Sequence, residues 1–308
     1  MKKYLSITAI VFALIGCSSD DESMGTDNSP VAAQITADIN LTRASGTNWD
    51  ANDAIGISTV STTATTGGTQ YLNMKYVTTG DGNFTHSGGE VSGIFFQDES
   101  ETVTFRAYYP FAEKSEERKS AGIISDVITS GQDVQKNFDF MFATGATASK
   151  DNPTVKFNNN GTVDARFKHM MTRLELNITT DTEAGFSAEQ VADGTYYLSG
   201  IKHSGMFNTE NGAASATGDA TDSWNITDYI TYNNNTGTCS LIFYPQKGAS
   251  LMFSVTIDGQ NYTGELSPAF VASTSYSYDI SIQKTGLKIS DCTIQDWTDG
   301  GSDFIVAG

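Results

Sequence analysis

Residues 33–42 read AQITADINLT. Every odd position is apolar (Ala33, Ile35, Ala37, Ile39, Leu41), and every even one is polar (Gln34, Thr36, Asp38, Asn40, Thr42). A period of two is that of a strand with one buried and one wet face. Ten residues without an interruption span roughly 33 Å when extended. The run ends at Arg43-Ala44 and then Ser45-Gly46, a basic site and flexible spacer of the kind a trypsin-like protease can enter. Taken alone, the stretch reads as an N-terminal strand followed by a loop.

The same period recurs downstream in Val103, Phe105, Ala107 and Tyr109; in Leu174, Leu176 and Ile178; in Leu251, Phe253, Val255 and Ile257; and in Tyr276, Tyr278, Ile280 and Ile282. Gly- and Asn-rich turns separate these strands, as at 78–82, 158–161 and 211–218. Helical periodicity is weak and confined to 112–120 and 187–192, and no internal repeat stands out. The Asn-rich loop 150–162, which holds Pro153, is the expected seam. The reading is an all-β chain of two β-sandwiches in series, 44–160 and 161–308, with few short helices.

Upstream, Met1-Lys2-Lys3 precedes an apolar run from Tyr4 to Ile15, then Gly16-Cys17. The run is too short for a spanning helix, which needs about 20 apolar residues, and has the layout of a secretory signal. The Leu14-Ile15-Gly16-Cys17 junction resembles the bacterial lipobox, which implies a signal peptide over 1–16 and lipid on Cys17. Ser18-Ser19-Asp20-Asp21-Glu22 resembles the acidic export signal of Bacteroidetes surface lipoproteins. The same run also reads as a solvated tether, since its Ser, Asp and Gly composition stays disordered anyway.

A net charge of −18, from 36 acidic and 18 basic residues, argues against nucleic acid or an anionic membrane surface as partner. Besides Cys17 the chain has Cys239 and Cys292. The compartment permits a disulfide between them, and each also sits in a strand-like run where a small buried residue suffices; both readings stay open. The three histidines, His86, His169 and His203, have no second ligand at metal spacing, so no metal or other cofactor is expected. No nucleophile elbow, phosphate loop or dinucleotide fingerprint occurs, so the chain does not read as an enzyme. Asp296, Asp299 and Asp303 beside Gly300-Gly301 lack the ordered spacing of a calcium loop. In the pairs Tyr108-Tyr109, Tyr196-Tyr197 and Phe243-Tyr244, one ring of each should enter a core. The other serves a second sheet face, a domain contact or a ligand platform.

A family resemblance joins these readings. Asn48-Trp49-Asp50-Ala51-Asn52-Asp53-Ala54-Ile55-Gly56-Ile57 resembles the opening block of the fimbrillin family of the Bacteroidales, the FimA-like and Mfa-like pilins of type V pili. Further blocks follow in family order: Phe105-Arg106-Ala107-Tyr108-Tyr109-Pro110-Phe111, Phe138-Asp139-Phe140-Met141-Phe142-Ala143, Phe167 to Leu174, Tyr276 to Ile280, and Ile294-Gln295-Asp296-Trp297. Asn52 departs from a frequent family Gly, as does Ser273-Thr274 before the Tyr-x-Tyr strand. The resemblance implies two transthyretin-like sandwiches and a stalk or tip subunit that serves adhesion and surface colonisation. It implies an outer-membrane lipoprotein precursor, lipidated tether and first strand over 17–43, cut after Arg43 by an arginine-specific protease and moved into the fimbrium. Ile35, Ala37, Ile39 and Leu41 then anchor a removable strand, and other pilin subunits are the partners, filling the groove by donor-strand exchange. A host or bacterial adhesion ligand is a further expected partner. The competing reading is a surface glycan-binding lipoprotein, which shares the lipobox, the tether and the sandwiches.

Overall fold

The computed structural model of the chain describes residues 29–39, 49–65, 67–88, 92–113, 122–180, 185–247, 250–266 and 269–297. Its first half carries β1 (Val31–Ala32), β2 (Gln34–Ala37), β3 (Ala54–Thr62), β4 (Met74–Thr78), β5 (Asn83–His86), β6 (Phe95–Phe96), β7 (Thr102–Tyr109), β8 (Ile123–Ile124), β9 (Met141–Ser149), β10 (Thr154–Phe157) and β11 (Lys168–His169). Eight of these form one sheet in the order β10-β2-β5-β4-β3-β7-β9-β11, and β1 pairs with β6. The register slips between Thr59 and Ser61 on β3, and again where Phe105 and Arg106 face Ala146 and Thr144. Gly145, at φ +92°, is the extra residue of the second slip, in a left-handed conformation that glycine takes without penalty. Bulges bend a sheet, and here the bent sheet encloses one core that includes Ile35, Ile57, Phe96, Phe105, Val155, Phe157 and Phe167.

The second half carries β12 (Thr172–Thr180), α1 (Ala188–Ala192), β13 (Thr195–Ser199), β14 (Ser204–Asn208), β15 (Ala214–Thr217), β16 (Trp224–Asn225), β17 (Thr231–Asn233), β18 (Thr236–Phe243), β19 (Leu251–Ile257), β20 (Gln260–Leu266), β21 (Thr274–Gln283), β22 (Gly286–Ile289) and β23 (Thr293–Asp296). One sheet runs β17-β18-β12-β21-β22, with β23 also on β21, and faces a second of order β16-β13-β19-β20. Leu174, Leu176, Leu241, Tyr276 and Ile280 from the first meet Tyr196, Leu198, Phe253 and Val255 from the second in a dry core, the packing of a sandwich. The alternating sets of β7, β12, β19 and β21 all face inward as their period predicts. The short helix forms at α1, where the Ser187 and Gln190 side chains and backbones cap each other reciprocally.

Between the halves lies a third apolar cluster of Tyr108, Phe140, Met171, Phe207, Ile242, Tyr244 and Trp297 among others. Phe140 and Phe207 stack at 4.5 Å, and β8 of the first half pairs with β14 of the second. β17 pairs with β18 only at residues 236–238. Beyond that, Gln132 exchanges two 2.9 Å hydrogen bonds with the backbone of Ile242, and Gln135 donates to the Ser240 carbonyl at 2.7 Å. Two amide side chains thus cover an edge that would otherwise leave strand groups unpaired.

Four expectations change. The loop 150–162 lies inside the first sheet, since β10 pairs with β2 and β11 still pairs with β9; the chain passes to the second sheet at Met170-Met171. Cys239 and Cys292 are free thiols. Cys239 sits on β18, and β12 and β21 separate it from the segment of Cys292, about 14 Å at strand spacing and beyond disulfide reach. Of the alternating run at 33–42, the continuous strand covers Gln34–Ala37 and Ile39 adds a single bridge to Phe167, while 40–42 lie outside the described residues. Ala112 and Glu113 are not helical, and 114–120 lies outside the described residues.

Candidate functional site

β2 occupies an interior position of the first sheet. It runs parallel to β10, with Ile35 opposite Val155 and Ala37 opposite Phe157, and antiparallel to β5, with Ile35 opposite Phe84. Beyond the ladder, Gln34 donates to the Pro153 carbonyl, Ala37 to Gly82 and Asp38 to Phe157, each at 2.9 Å. The Phe167 amide donates to the Asp38 carbonyl at 3.1 Å, and Ile39 bridges Phe167. Backbone bonding therefore extends along the strand on both flanks. Ile35 and Ala37 are buried at 3% and 2% exposure, while Ile39 is half-buried. Burying one isoleucine side chain stabilises by about 1.5–3 kcal/mol, so Ile35 is the main apolar anchor among the described residues of this strand.

Trp49 closes the end of the slot. Its indole N–H donates to the Ala37 carbonyl at 2.8 Å. Its ring meets Phe84 and Phe167 edge-on, each at 5.1 Å, and Tyr109 at 5.5 Å. Tyr109 is held in turn by donating to Asp53 Oδ1 at 3.1 Å; burial, with the Asp53 charge behind it, pushes that phenol up from its ordinary range. Gly82, at φ +78°, brings its backbone so close to Ala37 that a Cβ there would stand 3.2 Å from the Ala37 carbonyl oxygen. Trp49 heads the block that carries the family resemblance, but period and spacing give no sign that its indole binds β2. Phe84, Phe157 and Phe167, which floor the slot, carry no sequence signal beyond apolarity.

The structure places the remaining sequence candidates as follows. Ile35, Ala37 and Ile39 come together in the slot. Cys17, Leu41, Arg43, Ala44, Asp299 and Asp303 lie outside the described residues, and Asp296 is exposed at the end of β23. The histidines are dispersed. His86 packs edge-on against Tyr76, His169 bonds Asp139 at 2.8 Å, and His203 lies 3.3 Å from the Thr129 hydroxyl. Among the described residues no three His, Cys, Asp or Glu side chains gather as a metal-ligand set. Desolvation pushes the Cys239 thiol up to about 12, which makes it inert at neutral pH.

Of the aromatic pairs, Tyr109 and Phe243 enter the cores of their halves, whereas Tyr108 and Tyr244 both enter the seam. Both outer rings thus serve the contact between the halves. Trp297 is fully buried there, stacked on His169 at 4.2 Å, with the Arg173 guanidinium 5.3 Å from its ring.

The sequence model of the fimbrillin-like family matches residues 42–297. A protein named as a fimbrium subunit, Fim1C of Bacteroides uniformis, is 31% identical and is aligned over 97% of both chains. A crystal structure of a cell adhesion protein from Bacteroides uniformis superposes with a TM-score of 0.65 at 27% identity, covering 87% of this chain and 99% of that one. One from Bacteroides ovatus gives 0.67 at 23% identity over 87% and 98%, which supports the fold.

Proposed function

The chain belongs to the fimbrillin-like family, a family of structural fimbrial proteins of the cell surface and not of enzymes, and on that premise we propose that it is a pilus subunit matured by strand exchange. It is exported as a lipoprotein through Cys17, held at the outer membrane, and cut after Arg43 by an arginine-specific protease. The cut frees the segment that carries β1 and β2. The observation that carries this reading is the interior place of β2 between β10 and β5, on the far side of Arg43 from Trp49.

Loss of β2 leaves two strand edges unpaired and uncovers Phe84, Val155, Phe157 and Phe167. An unpaired edge beside an apolar floor is a template for another chain's strand. While β2 is joined to its own domain, its effective concentration in the slot is on the order of millimolar or more, and an outside donor competes poorly. Cleavage removes that advantage. The donor in this reading is the stretch beyond Trp297, with Gly300-Gly301 as hinge and Phe304-Ile305-Val306 as anchors. The assembled subunits form a fimbrium that serves adhesion.

Arg43→Ala tests the switch. Under trypsin-like digestion that turns the wild type into oligomers, the variant should stay monomeric. Oligomers of equal length from a variant that retains its N-terminal strand would defeat the mechanism.

A further inference from the structure

We propose that the cavity at the seam between the halves binds an acidic sugar residue through Arg106. The cavity measures about 90 Å³ and is lined by both halves, including Arg106 and Tyr108 of β7, Asn73, Leu72, Glu113, and Glu210 of the β14–β15 turn. At about 30 Å³ per water-sized group it admits a carboxylate, with the body of a ligand lying over the rim.

The Arg106 side chain is 16% exposed, and its Nη2 lies 3.5 Å from Glu210 Oε1. Its Nε is buried without a hydrogen-bond partner among the described residues. Nε and Nη2 form one edge of the guanidinium, the fork that grips a carboxylate with two parallel bonds. Glu210 engages one prong of that fork at the outer limit of contact. Its Cγ lies close to Gly122, where an added Cβ would come within 2.8 Å. A buried donor left unpaired is unfavourable, and a second carboxylate on the fork relieves it.

The surroundings are already set. The Tyr108 hydroxyl donates to Asn73 Oδ1 at 2.7 Å, and the Asn73 amide donates to the Ala112 carbonyl at 3.2 Å. These side chains hold a firm wall beside the guanidinium. At the rim, Glu113 and Glu210 are exposed carboxylates. They repel a polyacidic peptide, as does the net charge of −18, yet accept hydroxyl donors. The apolar Leu72, 62% exposed, offers a face for a ring's C–H groups. One carboxylate surrounded by hydroxyls is the chemistry of a uronic or sialic acid, free or at the end of a glycan. This site is independent of the strand slot and holds whichever way the subunit assembles.

Calorimetric titration of the full chain tests it, with glucuronate, galacturonate and N-acetylneuraminate against glucose, galactose and N-acetylmannosamine, and with succinate as the bare carboxylate. Sialyl- and uronyl-capped oligosaccharides in parallel distinguish a glycan end from the free acid. At least one sugar acid should bind about tenfold or more tightly than its neutral counterpart and than succinate. Arg106→Gln should weaken it by about tenfold or more, and Glu210→Gln, which removes the internal competitor, should tighten it by about threefold or more. If Arg106→Gln lowers the melting temperature, the exposed Glu210→Gln alone decides. Affinity that this variant leaves unchanged or weakens overturns the proposal. So do the absence of saturable binding by every sugar acid, equal binding of acid and neutral sugars, and succinate binding as tightly as the acids.

Discussion

In the second half, the central strands β12 and β21 pair with each other, β12 also with β18, and β21 also with β22 and β23. In the first half, the strand between β10 and β5 is joined to its domain only through the residues that include Arg43. Both halves are bent or layered sheets around a dry core, and they differ in what completes them. One sheet is closed by its own connected strands and the other by a strand that lies across the cut proposed at Arg43. In the proposed mechanism an interior element becomes replaceable by one cut, because the hydrogen bonds of a strand do not depend on which chain supplies it.

The largest expected effect separates the halves by paired core truncations. Ile35→Ala and Leu176→Ala remove side chains at 3% and 0% exposure, and each should cost about 3 kcal/mol. Ile35→Ala should make the segment before Arg43 easier to displace by an added strand peptide; Leu176→Ala should not. Denaturant unfolding together with a peptide-displacement assay reads both, and equal displacement in the two variants would erase the contrast.

The seam responds to acid. Desolvation holds the His203 imidazole down at about 4, against 6.5 unperturbed, in a site that also touches Trp224. With the folded pKa below the unfolded one, the neutral ring contributes full stability above about pH 6.5. That contribution falls as pH drops from 6.5 toward 4, where only the unfolded chain takes up the proton, and levels off below. The loss should be on the order of 2 kcal/mol. Melting at pH 7.5 and pH 4.5 should show it, and His203→Gln should flatten the difference.

Smaller again, Trp49→Phe keeps the ring contacts but removes the indole bond to the Ala37 carbonyl, at a cost of about 1 kcal/mol. The loss should appear as faster release of β2 after cleavage. The smallest effect has the opposite sign. Asn52 sits at φ +74°, a conformation that glycine adopts freely, so Asn52→Gly should raise stability by about 0.5 kcal/mol. An unchanged or lowered melting temperature would show that the Asn52 side chain offsets its own strain.

The all-β class and the strands β7, β12, β19 and β21 were legible because apolar residues recur at every second position in each, and alternation is a local property. The strand character of residues 34–37 was legible for the same reason, whereas Asn52 and Ser273, which adopt left-handed backbone at φ +74° and +59°, stood out only against the family pattern. Pairing was not legible. Nothing in the order of residues says that Ile35 lies between Val155 and Phe84, since neighbours across a sheet are set by packing of the whole chain. The same limit hid the seam. Tyr108 and Tyr244 alternate as their strands require, but the surface their outer rings meet belongs to the other half. It also hid the separation of the cysteines, which depends on the strand order between them.

The most direct test of the account is amide hydrogen exchange on the intact chain and on a chain that begins at Ala44. Without the preceding segment, amides of β5 and β10 should lose protection while those of β12 and β21 keep theirs, and a peptide of residues 29–42 should restore the lost protection. If β5 and β10 stay as protected in the shortened monomer as in the intact chain, no strand completes that slot and the exchange mechanism is contradicted.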